Sequence, residues 1–331
     1  MNKYTVFGGA LSYFTRKLEA ALIFYGADFE MKEKHQSDPA LIEQRSGTHQ
    51  VPVLLTPENW MIADTTPLLY LLDERFPSRR LFPPGPLGVL THILEEYFDE
   101  WIARTMVHYR WHYPRSAEFA SGRMAGGNPE AAAFIREWGP RACRATGTES
   151  TRQREAAESE YDRILAAMEK QLTLTPYMLG SRPTAVDCVL LGGLRAHTNM
   201  DPDPKEKTAA YPRVVAWSDG AADAWNGEGG LSEFPEATPF AQFVLREMVH
   251  TYRPYILGNA AAQKAGAKAF TAGIYEEDVS YLSRPYPERS RNMIIERMRT
   301  GLTREEKHAV ATWMAGTGLQ ECFPVPVVGE G

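Results

Sequence analysis

Val51-Pro52-Val53-Leu54-Leu55-Thr56-Pro57-Glu58-Asn59-Trp60-Met61-Ile62-Ala63-Asp64-Thr65-Thr66-Pro67 is the stretch from which the rest of the chain can be read. The apolar run over residues 51–55 predicts a strand, Thr56-Pro57-Glu58-Asn59 a turn, and residues 60–63 a short further strand. A helix then opens at Asp64-Thr65-Thr66-Pro67, with Asp or Thr as cap and proline in the first turn. Pro52 cannot donate to a ladder, so it belongs at a strand start or bulge. In the cis form it would hold an unpaired backbone edge there. Asp64-Thr65 sets a carboxylate beside helix-start N–H donors, which suits a ligand end carrying both an ammonium and a carboxylate.

Working back toward the N-terminus, residues 4–7 read as a strand ending at Gly8-Gly9. Residues 14–25 read as a helix with Leu18, Ala21, Leu22 and Tyr25 on one face, stopped by Gly26. A strand over 28–34 and a helix-like stretch over 39–44 complete the order β-α-β-α-β-β-α. Between the first strand and helix lies Ser12-Tyr13-Phe14-Thr15-Arg16-Lys17, where a hydroxyl meets the positive end of a helix and an anion or thiolate is welcome.

Working forward, Pro77, Pro83, Pro84 and Pro86 with Gly85 and Gly88 break any helix or central strand and predict an interdomain linker. Beyond it, helical periodicity takes over across 87–109, 150–172, 184–197 and 211–225. Residues 114–147 read as loop mixed with one helix over 129–138. Further helical stretches are expected over 239–251, 259–271, 290–300 and 303–316. Thr184 and Asp187, inside Leu179-Gly180-Ser181-Arg182-Pro183-Thr184-Ala185-Val186-Asp187, form a Thr-x-x-Asp cap and read as structural.

The 331 residues exceed one ordinary domain, and 44% hydrophobic with 24% charged residues fits a globular chain, not a disordered one. The 36 basic against 42 acidic side chains give a net charge of −6, the wrong balance for a general nucleic-acid or anionic-membrane surface. Cys143, Cys188 and Cys322 stand far apart, offer no C-x-x-C pair and read as inert thiols of a reducing compartment. No apolar run spans a membrane and no signal region opens the chain, so a cytoplasmic protein is expected. Neither a G-x-G-x-x-G, a P-loop nor a G-x-S-x-G is present.

Taken together, Ser12, Val51-Pro52, Asp64-Thr65 and the 179–187 segment resemble the Ser-type bacterial members of the cytosolic glutathione transferases. The resemblance implies an α/β thioredoxin-like N-terminal domain over 1–78, a linker over 79–88 and an all-α helical domain over 89–230. Residues 231–331 are left as an additional helical C-terminal extension, in which Pro285-Tyr286-Pro287 is expected to sit in additions that wrap the core and cover the cleft or extend a dimer contact.

The same resemblance implies glutathione as co-substrate. Asp64 and Thr65 would hold its γ-glutamyl end and the backbone of Val51, ahead of Pro52, its cysteinyl part. His49, Gln50 or Lys34 could reach its glycyl carboxylate, Phe14 would line the site, and Ser12 would face the sulfur. Tyr13 is the alternative to Ser12. The implied activity is transfer of glutathione to a small apolar electrophile by a homodimer, a detoxifying transferase with no metal. The alternatives are a glutathione-dependent peroxidase, isomerase or dehalogenase, or a non-catalytic glutathione- or protein-binding module.

By the same implication the second substrate would lie against Arg104, His108, Tyr109, Arg110 and Trp111. His108 and His112 have metal-compatible i,i+4 spacing but no third ligand. Glu95, Glu96, Asp99 and Glu100 read as a solvated helix face. The arginines over 284–307 alternate with glutamates and read as charge-balanced surface.

Overall fold

A computed structural model describes residues 3–325. Its first unit runs β1 (Tyr4–Gly8), α1 (Tyr13–Tyr25), β2 (Phe29–Glu33), α2 (Pro39–Ser46), β3 (Val53–Leu55), β4 (Met61–Ala63) and α3 (Thr65–Arg75). The sheet order is β2-β1-β3-β4, with β1 parallel to β2 and antiparallel to β3, and β3 antiparallel to β4. This is the thioredoxin-like arrangement that the strand and helix order implies. Phe7 pairs with Val53 and Val53 with Ala63. The exit of β1, the entry to β3 and the exit of β4 therefore meet at one end of the sheet, which is where Ser12, Val51 and Asp64 sit.

The second unit is helical: α4 (Gly85–Glu96), a wide π-helical stretch over Tyr97–Ile102, α5 (Ala103–His112), α6 (Pro114–Met124), α7 (Pro129–Ala145), α8 (Thr151–Gln171), α9 (Ala185–Gly193), α10 (Pro202–Thr208) and α11 (Pro212–Ser218). Residues 114–147 hold two helices where the sequence reading placed one. Proline opens both at a position that needs no N–H donor, Asn128 caps the second, and α7 continues past Pro140. At the start of α9, the Asp187 carboxylate accepts from the N–H groups of Thr184 at 2.7 Å and Met178 at 2.9 Å, so neither of these buried donors is left unpaired. A Cβ at Gly192 would lie 2.7 Å from the Tyr13 carbonyl oxygen. Only glycine lets α9 back this closely onto α1, and that contact fixes where α1 begins.

The extension comprises α12 (Pro239–His250), α13 (Tyr252–Ala265), β5 (Ala269–Ile274), β6 (Glu277–Leu282), α14 (Pro285–Thr300) and α15 (Arg304–Thr317). It is not wholly helical. Residues 259–271, read as a helix, divide between the end of α13 and the first half of an antiparallel hairpin. Tyr275 and Glu276 turn that hairpin at φ of 55° and 59°, the paired positive angles of a type I′ turn. α12, α14 and α15 pack on α4, whose Val89, Leu90, Ile93 and Leu94 are fully buried. One hydrophobic core runs through all three parts, with Phe98 stacked on Phe240 at 6.1 Å and Trp101 against Tyr255 at 5.3 Å.

Candidate functional site

Ser12 is the N-cap of α1: its Oγ accepts from the Thr15 N–H at 3.2 Å. Accepting there leaves the hydroxyl hydrogen free to donate outward, so the cap and a donor role are compatible. The half-buried Ser12 lies on the walls of two cavities, of about 620 Å³ and 600 Å³. Tyr13 differs. Its ring lines the first of these cavities, but its hydroxyl donates to the Phe98 carbonyl at 3.1 Å and burial, then Asp99, pushes its pKa well up. Its hydroxyl is committed to interdomain packing.

A third cavity, of about 590 Å³, is walled by Phe14, Thr48, Gln50, Val51, Pro52, Asp64 and Thr65, and on its far side by Asp99, Glu100, Arg284, Tyr286 and Arg289. The Val51-Pro52 bond is cis, and Val51 lies outside the ladder, which begins at Val53. Asp64 has φ 73° and ψ 110°, a conformation rarely adopted by a non-glycine residue and costing about 1–3 kcal/mol. As the N-cap of α3 its carboxylate caps nothing, although capping would contribute about 1 kcal/mol. Instead it meets the Arg289 guanidinium at 2.9 Å. Burial, then the Asp99 charge, raises the Asp64 pKa, while Lys17 and Arg289 oppose the rise. Beside it the buried Thr65 hydroxyl has no hydrogen-bond partner among the described residues and faces the cavity. A strained, uncapped aspartate next to a cavity-lining hydroxyl and the positive end of an 11-residue helix is arranged for a ligand, not for the helix.

Of the residues expected near the glycyl end, Gln50 lines the third cavity, while the exposed His49 lines the 600 Å³ cavity beside Ser12. Lys34 borders that same cavity, but its ammonium donates to the Thr48, His49 and Gln50 carbonyls at 3.2, 2.7 and 3.1 Å. It shapes the loop before Pro52 instead of offering a free charge.

The 620 Å³ cavity is mainly apolar, formed by Phe14 with Ala103, Met106, Val107, Arg110 and Trp111 of α5 and Phe134 and Trp138 of α7, with Glu137, Arg141 and His197 also on its wall. Arg110 and Trp111 thus face it, but Arg104, His108 and Tyr109 do not. A helix presents residues three and four apart on one face, so the wall is 103, 106, 107, 110 and 111, and the five expected residues straddled two faces. Arg104 turns to Tyr275 at 2.9 Å and Glu160 at 3.5 Å, and His108 to Glu158 at 2.7 Å. Arg110 is structural as well as lining: it pairs with Asp201 at 2.9 Å and donates to the Leu11 carbonyl at 2.6 Å, steadying the loop that carries Ser12.

The acidic run is not solvated. Glu95 and Glu96 are fully buried, Asp99 and Glu100 nearly so. Lys17, itself fully buried, donates to Glu95, to Asp99 at 2.6 Å and to Thr66 at 3.0 Å, tying α1 to α3 and α4. Burial pushes Glu95 and Glu100 up to about 7, with Lys17 opposing the rise for Glu95 and Arg284 for Glu100. Tyr286 lies over the cleft as the Pro285-Tyr286-Pro287 segment led one to expect, whereas Arg284 and Arg289, read as charge-balanced surface, also face this site from α14 and the residue before it.

A roomier cavity of about 900 Å³ lies between the linker and α14, against Tyr70, Phe82 and Arg297, but it holds neither the strained carboxylate nor Ser12. All three cysteines are free and buried, and burial raises each thiol. Among the described residues no His, Cys, Asp and Glu side chains gather in a metal-binding group, and no helix is long and apolar enough to cross a membrane.

Two family models match the chain: the glutathione S-transferase N-terminal domain over residues 6–80 and the glutathione S-transferase C-terminal domain over residues 128–222, together just over half of it. The chain belongs to the glutathione S-transferase superfamily. No curated protein matches it. Among solved structures, a glutathione S-transferase from Rhodospirillum rubrum F11 is 16% identical with TM-score 0.46, covering 72% of this chain and 98% of that one. One from Methylobacterium radiotolerans in complex with glutathione sulfonate is 22% identical with TM-score 0.42, covering 68% and 92%. A beta-etherase from Sphingobium sp. strain SYK-6 is 14% identical with TM-score 0.47, covering 75% and 100%.

Proposed function

We propose that this protein is a glutathione transferase in which Ser12 stabilises the glutathione thiolate and the α5–α7 cavity holds a small apolar electrophile. The observation that carries the reading is Asp64: held at a strained φ, it forgoes its cap and faces a cavity beside Thr65 and Val51-Pro52. There Asp64 takes the γ-glutamyl ammonium, while the Thr65 hydroxyl and the α3 N-terminus take its carboxylate. Val51 pairs with the cysteinyl backbone, Gln50 and His49 lie toward the glycyl end, and Phe14 lines both this cavity and the apolar one. The thiol proton passes to solvent, the thiolate attacks the electrophilic carbon and the leaving group departs with its bonding electrons.

The energetics suit a serine. A free thiol titrates near 8.5, and lowering that by about two units needs roughly 2.7 kcal/mol. A hydrogen bond to an anion contributes about 1.5–3 kcal/mol and a helix N-terminus about 0.3–1. Among the described residues no histidine hydrogen-bonds the Ser12 hydroxyl, although His197 shares its cavity, so the hydroxyl donates to the sulfur and has no base to activate it as in a triad. A cytoplasmic homodimer belongs to the same proposal, with an interface away from the face of α4 that the extension covers.

Ser12→Ala is therefore expected to lower kcat/KM toward an aromatic halide about 10- to 100-fold at pH 7, with glutathione affinity little changed and the thiol pKa in the complex raised. Loss of the cap adds about 1 kcal/mol of destabilisation. Rates equal to the parent's would remove Ser12 from the chemistry. Binding of glutathione with no turnover across a panel of electrophiles would leave a binding module.

A further inference from the structure

The extension reaches the proposed peptide site from outside both family domains. Arg289, on the second turn of α14, pairs with Asp64 at 2.9 Å across the cavity, and its guanidinium lies 5.2 Å from the centre of the Tyr286 ring. Tyr286 donates to the Gln50 side-chain oxygen at 3.3 Å, and Arg284 pairs with Glu100 at 3.3 Å on the cavity's inner wall. Two of these three links cross from the extension to the thioredoxin-like domain, so the cavity is roofed by a segment more than 200 residues from its floor.

We propose that Arg289 is a specificity-determining residue that binds the α-carboxylate of a γ-glutamyl peptide, completing a site that Asp64 and Thr65 leave half built. The inference rests on the glutathione reading above. An α-amino-acid end is a zwitterion whose two charges sit on one carbon, so it can bridge a carboxylate and a guanidinium once their direct contact at 2.9 Å opens to admit it. On entry the Asp64–Arg289 pair separates. The ammonium takes Asp64, and the carboxylate takes Arg289 together with the Thr65 hydroxyl and the first N–H groups of α3. One ion pair is exchanged for two with no net charge buried, which keeps the desolvation cost of the exchange low. Arginine suits the role because its planar fork meets a carboxylate through two parallel hydrogen bonds. Arg289 is also half exposed, so it can shift by the width of the incoming group. The device selects thiol peptides with a free γ-linked amino-acid end over thiols lacking that carboxylate.

The test is calorimetric titration of the full chain and of Arg289→Gln and Arg289→Lys with two ligands. These are glutathione and its analogue lacking only the γ-glutamyl α-carboxylate, 4-aminobutanoyl-cysteinyl-glycine. Arg289→Gln should weaken glutathione about 10- to 100-fold, and Arg289→Lys should recover part of the loss. For the analogue, Arg289→Gln should bind as well as the parent or better, because Asp64 is freed for the ammonium. Melting curves without ligand should overlay, separating a binding role from one that merely anchors the extension. Equal glutathione affinity in Arg289→Gln, or equal losses for both ligands, would overturn the proposal. If the parent binds neither ligand, the glutathione reading itself falls and takes this inference with it.

Discussion

Lys17→Met is expected to cost about 3–5 kcal/mol of stability at pH 8 and to lower the melting temperature on the order of 10 °C. Lys17 is fully buried and, among the described residues, is the only ammonium donating to Glu95 and Asp99. Methionine fills its volume but leaves those carboxylates without their cation, and in a low-dielectric interior that loss outweighs any gain from removing the ammonium. The pH dependence gives the prediction a second edge. Burial holds Glu95 near 7, above its ordinary 4.5, so the folded state binds its proton more tightly than the unfolded state does. The stability from that proton is present at low pH and is lost as pH rises through about 7. At pH 5 Glu95 already holds its proton and leaves no charge for Lys17 to offset, whereas at pH 8 it is ionised and depends on the ammonium. The variant's deficit should therefore be smaller at pH 5 than at pH 8. Melting curves by circular dichroism at both values check this, and a variant within 2 °C of the parent at pH 8, or a deficit that grows toward pH 5, would contradict the account of the cluster.

Ending the chain at residue 230 is expected to give an insoluble or non-cooperatively melting product. The extension wraps the two-domain core, and its side chains are also part of that core. Phe240, Met248, Tyr252, Ile256, Ile294, Met298, Val310 and Met314 are buried in the cluster that includes Leu90, Leu94, Phe98 and Trp101. Fully burying an apolar side chain of this size contributes about 1.5–3 kcal/mol, so eight of them outweigh the whole net stability of a typical protein. Polar cost adds to the loss: buried Glu160 on α8 accepts from Tyr97 at 2.6 Å and Trp101 at 3.1 Å, and also from Thr251 at 2.9 Å and Tyr275. Truncation removes the last two partners. Expression of residues 1–230 followed by sedimentation and thermal melting decides the matter. A soluble truncated chain with a sharp melt would show that the two family domains stand without the extension.

What the sequence disclosed follows from how local its causes are. The order of strands and helices over residues 4–75, the Val51-Pro52 strand entry, the Asp64-Thr65 helix start and the Thr184–Asp187 cap are each written within a few neighbouring residues, and all lie where they were read. That Asp64 forgoes its cap could not be read, because its partner Arg289 is 225 positions away. The run Glu95, Glu96, Asp99, Glu100 looks solvated by itself and becomes a buried network only because Lys17 arrives from α1 and Arg284 from the residue before α14. Arg104, His108 and Tyr109 were misplaced for a different reason. Adjacent residues of a helix do not share a wall, and the period of α5 divides this run between the apolar cavity and the face that meets α8 and the hairpin. That hairpin did carry a local signal, the alternation around Val279-Ser280-Tyr281, which the helical stretches on either side obscured.

The central claim is that the cavity beside Asp64, Thr65 and Val51-Pro52 binds glutathione. Calorimetric titration of the full chain with glutathione tests it most directly, with Asp64→Ala and Thr65→Val in parallel. The account predicts saturable one-to-one binding by the parent and at least about tenfold weaker binding by Asp64→Ala, since a charged partner is lost, with a smaller loss for Thr65→Val. Absence of binding by the parent, or undiminished binding by Asp64→Ala, would contradict it.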